Sequence, residues 1–274
     1  MRREDIQQAL EAACVVSNHH EFVIAGSLSV LGLLNKPPEK MSHSIDIDFY
    51  PLRDPGRASD IATVLGENSD FHERNGYYLD AVSPDLPVLP DGWQDRMVKV
   101  ELGQMTAYFL DVHDTAVSKY ARGAENDYLW LEAGYEAKIL NIDTIETRVR
   151  FSTMYFDSDD KRKTTNGLLM HRTAMQLDGT LLDKALLAFL HNNLPAQKIR
   201  EVDHDCGRYV GDILWTNDSY AVQSLDPGDI VIHTIHDWAE QPEQGDKATV
   251  HYHDGIPTLE IEPPEQNHGS SLHL

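Results

Sequence analysis

Two short stretches of the chain combine residue types that handle phosphate and metal, Gly26-Ser27 and Asp46-x-Asp48. The glycine ends the apolar run Phe22-Val23-Ile24-Ala25, at a turn where a missing side chain lets a phosphate approach the backbone. The Ser27 hydroxyl and the N–H groups of a helix starting just after it favour negative charge there. Two aspartates one residue apart on a strand share a face, so their carboxylates can converge on one ion. Such an all-oxygen site suits Mg²⁺ (or Mn²⁺), carried in with a nucleoside triphosphate. A third carboxylate often completes a site of this kind and activates an attacking hydroxyl. Asp80, just after Tyr77-Tyr78-Leu79, is the candidate.

A second constellation follows in His113-Asp114-Thr115-Ala116-Val117-Ser118-Lys119-Tyr120-Ala121-Arg122-Gly123. Lys119 and Arg122 are three residues apart and share a helix face. An ammonium there could hold triphosphate oxygens. The alternative is a pair of surface cations balanced by Glu125 and Asp127. Histidines 233, 236, 251 and 253 invite a metal reading, with His251 and His253 on one strand face. No cysteine or strict spacing supports zinc, however, and polar positions on a half-exposed strand are the expectation. Cys14 and Cys206 lie far apart and make no disulfide framework.

The elements that must position these groups can be read from periodicity. Ile6, Ala9, Leu10, Ala13 and Val16 recur with a helical period over residues 3–18. Glu21–Gly26 reads as a buried strand, Ser29–Leu34 as a helix, and Ser44–Tyr50 as a strand with both aspartates on one face. Ala58–Leu65 reads as a helix and Phe71–Val82 as a hairpin turning at Asn75-Gly76. Two strands flank Gly103, over 96–102 and 104–110. Asp114 is a candidate cap for a helix beginning at Thr115 and ending at Gly123. Further helices are expected over 127–140, 144–151 and 182–194. After about residue 205 come short β-like runs, 213–215, 220–223, 230–233, 248–252 and 258–261, separated by turn dipeptides. The fold class is therefore α+β, a mixed sheet with helices and a helical extension, followed by a small all-β domain. The expected divisions are 1–150, 151–205, 206–262 and a frayed tail over 263–274.

Composition limits the partners. The formal net charge is −22, with 45 acidic against 23 basic residues, so extensive duplex DNA binding is excluded. The only basic concentration is Arg148, Arg150, Lys161, Arg162 and Lys163, read as a solvated loop and helix end. No run approaches the ~18 apolar residues of a membrane span, and no signal-peptide pattern opens the chain. A cytoplasmic location is the expectation.

Taken together, Val23-Ile24-Ala25-Gly26-Ser27, Ser44-Ile45-Asp46-Ile47-Asp48, Leu79-Asp80-Ala81-Val82 with Leu89-Pro90-x-Gly92-Trp93, and Asp114-x4-Lys119-x3-Gly123-x3-Asp127 resemble one family. It is the bacterial nucleotidyltransferase-fold proteins related to the toxins of AbiE-type (type IV) toxin–antitoxin systems, and the likeness spans roughly residues 5–150. The resemblance implies a polymerase-β-like fold, metal on Asp46 and Asp48, nucleotide contact by Lys119, and an active-site role for Asp127. It also implies an RNA or tRNA end as acceptor and a cognate antitoxin as partner, whereas the net charge of −22 favours a small molecule or a protein hydroxyl as acceptor. Relatives commonly carry Arg-x-Lys-Asp where this chain has Ala124-Glu125-Asn126-Asp127. A catalytically weak binding protein acting through a partner on a mobile element is the alternative that departure leaves. Gly211-Asp212-Ile213, Tyr220-Ala221-Val222-Gln223 and Val250-x-Tyr252-x-Asp254-Gly255 are similar to the small KfrB-type β domain of plasmid-borne proteins.

Overall fold

The computed structural model describes residues 1–150, 157–175, 183–193, 198–226 and 228–263. From residue 264 on, the tail expected over 263–274 lies outside the described residues. The chain divides into two compact units, the first of residues 1–168 and the second beginning at Leu169.

The first unit opens with α1 (Arg3–Ser17), whose Ile6, Ala9, Leu10 and Ala13 face the core at helical spacing. β1 (Glu21–Ile24) leads into a 3-10 turn (Gly26–Ser29) and the one-turn helices α2 (Val30–Leu33) and α3 (Glu39–Ser42). β2 (Asp46–Pro51), α4 (Ala58–Leu65), α5 (Asp70–Asn75) and β3 (Tyr78–Ala81) follow. The short α6 (Trp93–Arg96) precedes the hairpin of β4 (Val98–Leu102) and β5 (Met105–Phe109). Three helices then pack as α7 (Val112–Arg122), α8 (Glu125–Glu136) and α9 (Ile142–Arg150), and α10 (Ser158–Met175) starts in this unit and ends in the next.

The five strands form one mixed sheet in the order β3-β2-β1-β5-β4. β1 lies antiparallel to β2 and parallel to β5, while β2 and β3 run parallel. Phe22, Val23, Ile24, Ile47, Phe49, Leu79, Ala107 and Phe109 lie fully buried within it. Each of these side chains larger than alanine contributes on the order of 1.5–3 kcal/mol, so the central strands are firm supports for whatever their ends carry.

Three local expectations are corrected. Residues 71–82 are not a hairpin: residues 70–75 form α5, and β3 pairs in parallel with β2. Ser69 caps that helix by accepting from the His72 N–H, and Gly76 terminates it in the left-handed region at φ 76°. An Asn-Gly pair serves a helix end as readily as a tight hairpin, because both need positive φ. Asp114 is likewise not a cap. Asp111 caps α7 through the His113 N–H, while Asp114 is buried one turn on. The third concerns the helix after Ser27, which is only a 3-10 turn and one further turn. A segment that short has little macrodipole, so by itself it offers little attraction to an anion.

The second unit contains α11 (Lys184–Asn193) and six strands: β6 (Ile199–Arg200), β7 (Arg208–Thr216), β8 (Tyr220–Leu225), β9 (Asp229–Thr234), β10 (Lys247–His253) and β11 (Ile256–Ile261). Their order is β11-β10-β7-β8-β9-β6, antiparallel throughout except for β6 on β9. All five β-like runs expected after residue 205 fall on these strands. His233, expected at a half-exposed position, is instead buried in this sheet, with its ring nitrogens 3.0 Å from the Tyr252 hydroxyl and 2.9 Å from Gln223 Oε1. Burial pushes His233 down to about 3, so the ring is neutral and its polar atoms are satisfied in place. His251 accepts from Arg208 Nε instead of standing free for a metal. Among the described residues no helix is long and apolar enough to cross a membrane.

Candidate active site

β1 delivers the chain to Gly26 at the centre of the sheet, and the Ala25 N–H donates to the Asp48 carbonyl at 2.9 Å. Gly26 has φ 58°, and a Cβ built there would stand 1.8 Å from Asp48 Oδ2. The glycine is therefore required twice over, for its conformation and for the space the carboxylate occupies. If the turn receives a Mg²⁺-bound nucleotide, a Gly26→Ala protein should lose at least about tenfold in affinity for it, and the left-handed backbone alone should cost ~1–2 kcal/mol of stability. Titration calorimetry and urea unfolding would read the two effects, and native-like affinity would refute this account of the turn.

The carboxylates assemble by sheet register. Asp46 and Asp48 occupy alternate positions on β2, and Asp48 is paired directly with Asp80 on β3. Their ligand oxygens all lie within 4.8 Å of one another, the one such metal-competent group among the described residues. The Ser44 hydroxyl donates to Asp46 Oδ1. Burial, then the charges of Asp46 and Asp80, push Asp48 up to about 6, against the opposing pull of Arg122 and Lys119. Burial raises Asp80 also, with Asp46 and Glu67 adding repulsion. Three crowded carboxylates offering only oxygen fit a hard divalent cation.

The cationic side comes from α7 and α8. Lys119 is not a surface residue: it is 4% exposed. Its Nζ donates to Ser27 Oγ and to Asp127 Oδ1, each at 3.0 Å, and lies 5.0 Å from the Trp130 ring centroid. Asp127 is fully buried and also receives Arg122 through Nε (2.7 Å) and the Ala124 N–H (3.2 Å). Burial alone would raise Asp127, but the Arg122 hydrogen bonds and the Lys119 charge outweigh it and hold it below the usual range. Burial likewise lowers Lys119, opposed by Asp127. Trp130 Nε1 donates to both the Ser27 and Met41 carbonyls at 3.1 Å, which pins the turn.

Gly26, Asp48, Lys119 and Arg122 line one cavity of about 560 Å³, shared with Val82, Leu86, Val88 and Lys163. Ser27 and Ser44 border a second of about 410 Å³, with Glu39, Lys40, His43, Asn126 and Leu129. All seven residues picked out from the sequence thus belong to one neighbourhood, Asp80 through Asp48 and Asp127 through Lys119. Sequence reasoning missed Trp130, Ser44 and the clamp around Asp114. In that clamp Arg96 donates to Asp114 through Nε (2.8 Å) and a terminal nitrogen (3.0 Å), and Arg148 bridges Asp111 and Asp114. The Asp114 of the recognised block was the available signal, because a buried carboxylate needs cations.

The family described as a nucleotidyltransferase of unknown function (DUF6036) matches residues 4–175, well over half the chain. The chain belongs to this nucleotidyltransferase family. Its matched region holds the whole carboxylate–lysine constellation, so the mixed sheet and the residues on it are the family's nucleotidyltransferase-like part. The KfrB domain matches residues 208–259, which cover β7 to β11 except for the last two residues of β11. No curated protein and no solved structure matches the chain.

Proposed function

We propose that the chain is a metal-dependent nucleotidyltransferase, moving a nucleoside monophosphate from a nucleoside triphosphate to an acceptor hydroxyl. The observation that carries this reading is the convergence of Asp46, Asp48 and Asp80 beside Gly26 and the Ser27–Lys119 contact. Asp46 and Asp48 hold Mg²⁺ or Mn²⁺, which when bound offsets the triphosphate charge and polarises the α-phosphorus. Lys119 and Arg122 draw the phosphates into the larger cavity, and the apolar wall of Val82, Leu86 and Val88 receives the base. The Lys119 ammonium donates to Ser27 Oγ, so the hydroxyl's own hydrogen is directed elsewhere and can reach a phosphate oxygen. Asp127 acts at one remove, fixing Lys119 and Arg122. Asp80 takes the proton of the acceptor hydroxyl as its oxygen bonds to the α-phosphorus and the bond to pyrophosphate breaks.

The native chain should incorporate α-labelled nucleotide in the presence of Mg²⁺. Asp46→Asn should lower the rate about a thousandfold, the scale of losing an electrostatic stabiliser of a transition state. Equal rates for the two proteins would remove the assignment. The likeness to toxin–antitoxin nucleotidyltransferases extends the proposal to a toxin role. Induced expression should then arrest growth with the native chain and not with Asp46→Asn.

A further inference from the structure

Consecutive residues line two cavities of the first unit, Gly26 one and Ser27 the other. Displacement at phosphorus places the attacking and leaving oxygens roughly in line, on opposite sides of the transferred group. A donor nucleotide with its leaving phosphates near Lys119 and Arg122 therefore leaves the second cavity for the acceptor. That groove connects to the carboxylates directly: Ser44 borders it and donates to Asp46, while Ser27 borders it and accepts from Lys119.

We propose, resting on the nucleotidyl-transfer reading above, that the groove of Ser27, Glu39, Lys40, His43, Ser44 and Asn126 is the acceptor subsite. Its occupant is a small hydroxylated molecule of low charge. The lining has one carboxylate, one ammonium, an imidazole, an amide and two hydroxyls, with Leu129 the one aliphatic member. Donors and acceptors in near-equal number and nearly cancelling charge match a sugar-like or polyol acceptor, whose every hydroxyl both donates and accepts. A volume of about 410 Å³ is that of a small-molecule pocket. A nucleic-acid strand needs a track of cations along its phosphates. Here three members of the basic cluster after 147 are engaged with carboxylates, Arg148 with Asp111 and Asp114, and Arg162 and Lys163 with Asp159. The net charge of −22 opposes a polyanion further. A docked protein would need an apolar centre to its interface, and a single leucine does not supply one.

Glu39, Lys40, His43 and Asn126 are solvent-exposed, so truncating them leaves the core intact. The full chain, Mg²⁺ and α-labelled nucleoside triphosphates would be incubated separately with three pools from a bacterial extract. These are the deproteinised low-molecular-weight filtrate, purified total RNA, and the protein fraction. Label should move into the filtrate pool. His43→Ala and Asn126→Ala should each need about tenfold more filtrate for half-maximal labelling, the worth of one hydrogen bond. Calorimetric affinity for Mg²⁺–nucleotide should stay unchanged in both variants. Label in RNA or protein, or filtrate labelling indifferent to Lys40→Ala, His43→Ala and Asn126→Ala combined, would overturn the proposal. Nucleotide binding with no label in any pool would overturn the acceptor assignment alone. Absence of nucleotide binding would bring down the transfer reading and this subsite with it.

Discussion

An Asp48→Asn protein should be more stable than the native chain at neutral pH in a chelator, and dead as a catalyst. Burial and two neighbouring carboxylates push Asp48 up to about 6 from an ordinary 3.8. A carboxyl raised in the folded state contributes stability that is fully present below its unfolded value. That contribution is lost as pH rises towards the folded value. Above about pH 6 the ionised group therefore costs the native chain on the order of 3 kcal/mol relative to its protonated form. An amide has no such charge to repel Asp46 and Asp80. In a chelator the native chain should lose stability between pH 4 and pH 6, on the order of those 3 kcal/mol, while the variant changes much less. Added Mg²⁺ should restore the native chain at pH 7 by mass action and leave the variant unmoved. Urea unfolding at the two pH values, with and without metal, supplies the comparison. A variant less stable than native at pH 7 without metal would contradict it. On the proposed reading, the stability withheld by the crowded carboxylates is the counterpart of the divalent ion they would take.

Removing the buried acid on the cationic side should do the reverse. Asp127→Ala leaves the Lys119 ammonium, 4% exposed, without its carboxylate and takes from Arg122 its hydrogen-bonded partner. Breaking a buried pair from one side typically costs about 3–5 kcal/mol. That would be a large part of the stability of a unit of this size. Removing both charges as Lys119→Met with Asp127→Leu should recover most of the loss, since neither partner is then left alone. Nucleotide incorporation should stay absent in both proteins, because Lys119 faces the cavity that would hold the phosphates. Urea midpoints for the single and double variants provide the measure. A double variant as unstable as Asp127→Ala would show that the loss comes from packing and not from an orphaned charge.

The carboxylate half of the site was legible because it is written in local rules. Period two on β2 puts Asp46 and Asp48 on one side, whereas the position of Asp80 beside Asp48 depends on the parallel pairing of β3 with β2, which spacing does not reveal. Gly26 was legible as a residue type, though its quarrel with Asp48 Oδ2 depends on a contact across strands that no spacing reveals. The cationic half was partly hidden. Helical spacing groups Lys119 with Arg122, but an isolated helix does not show that Asp127 on the next helix sits between them. Arg148 read as solvated for the same reason: its partners lie more than thirty residues away. Asn75-Gly76 failed differently, since one dipeptide satisfies two local geometries and only the pairing of β3 with β2 chooses between them. The family likeness supplied Asp127, and burial explains why that position must be acidic.

The Arg148 clamp has a bearing on where this enzyme-like unit could be cut. Every side chain assigned to metal, phosphate or proton transfer is in place by residue 127. Yet Asp114, buried in the helix that presents Lys119, is neutralised in part from α9. A fragment ending after α8 would carry the complete reactive set and leave that carboxylate with Arg96 alone among its described ion-pair partners. The smallest piece able to hold its chemistry in register is thus set by a guanidinium beyond the last reactive group, and excision should follow the clamp rather than the motif.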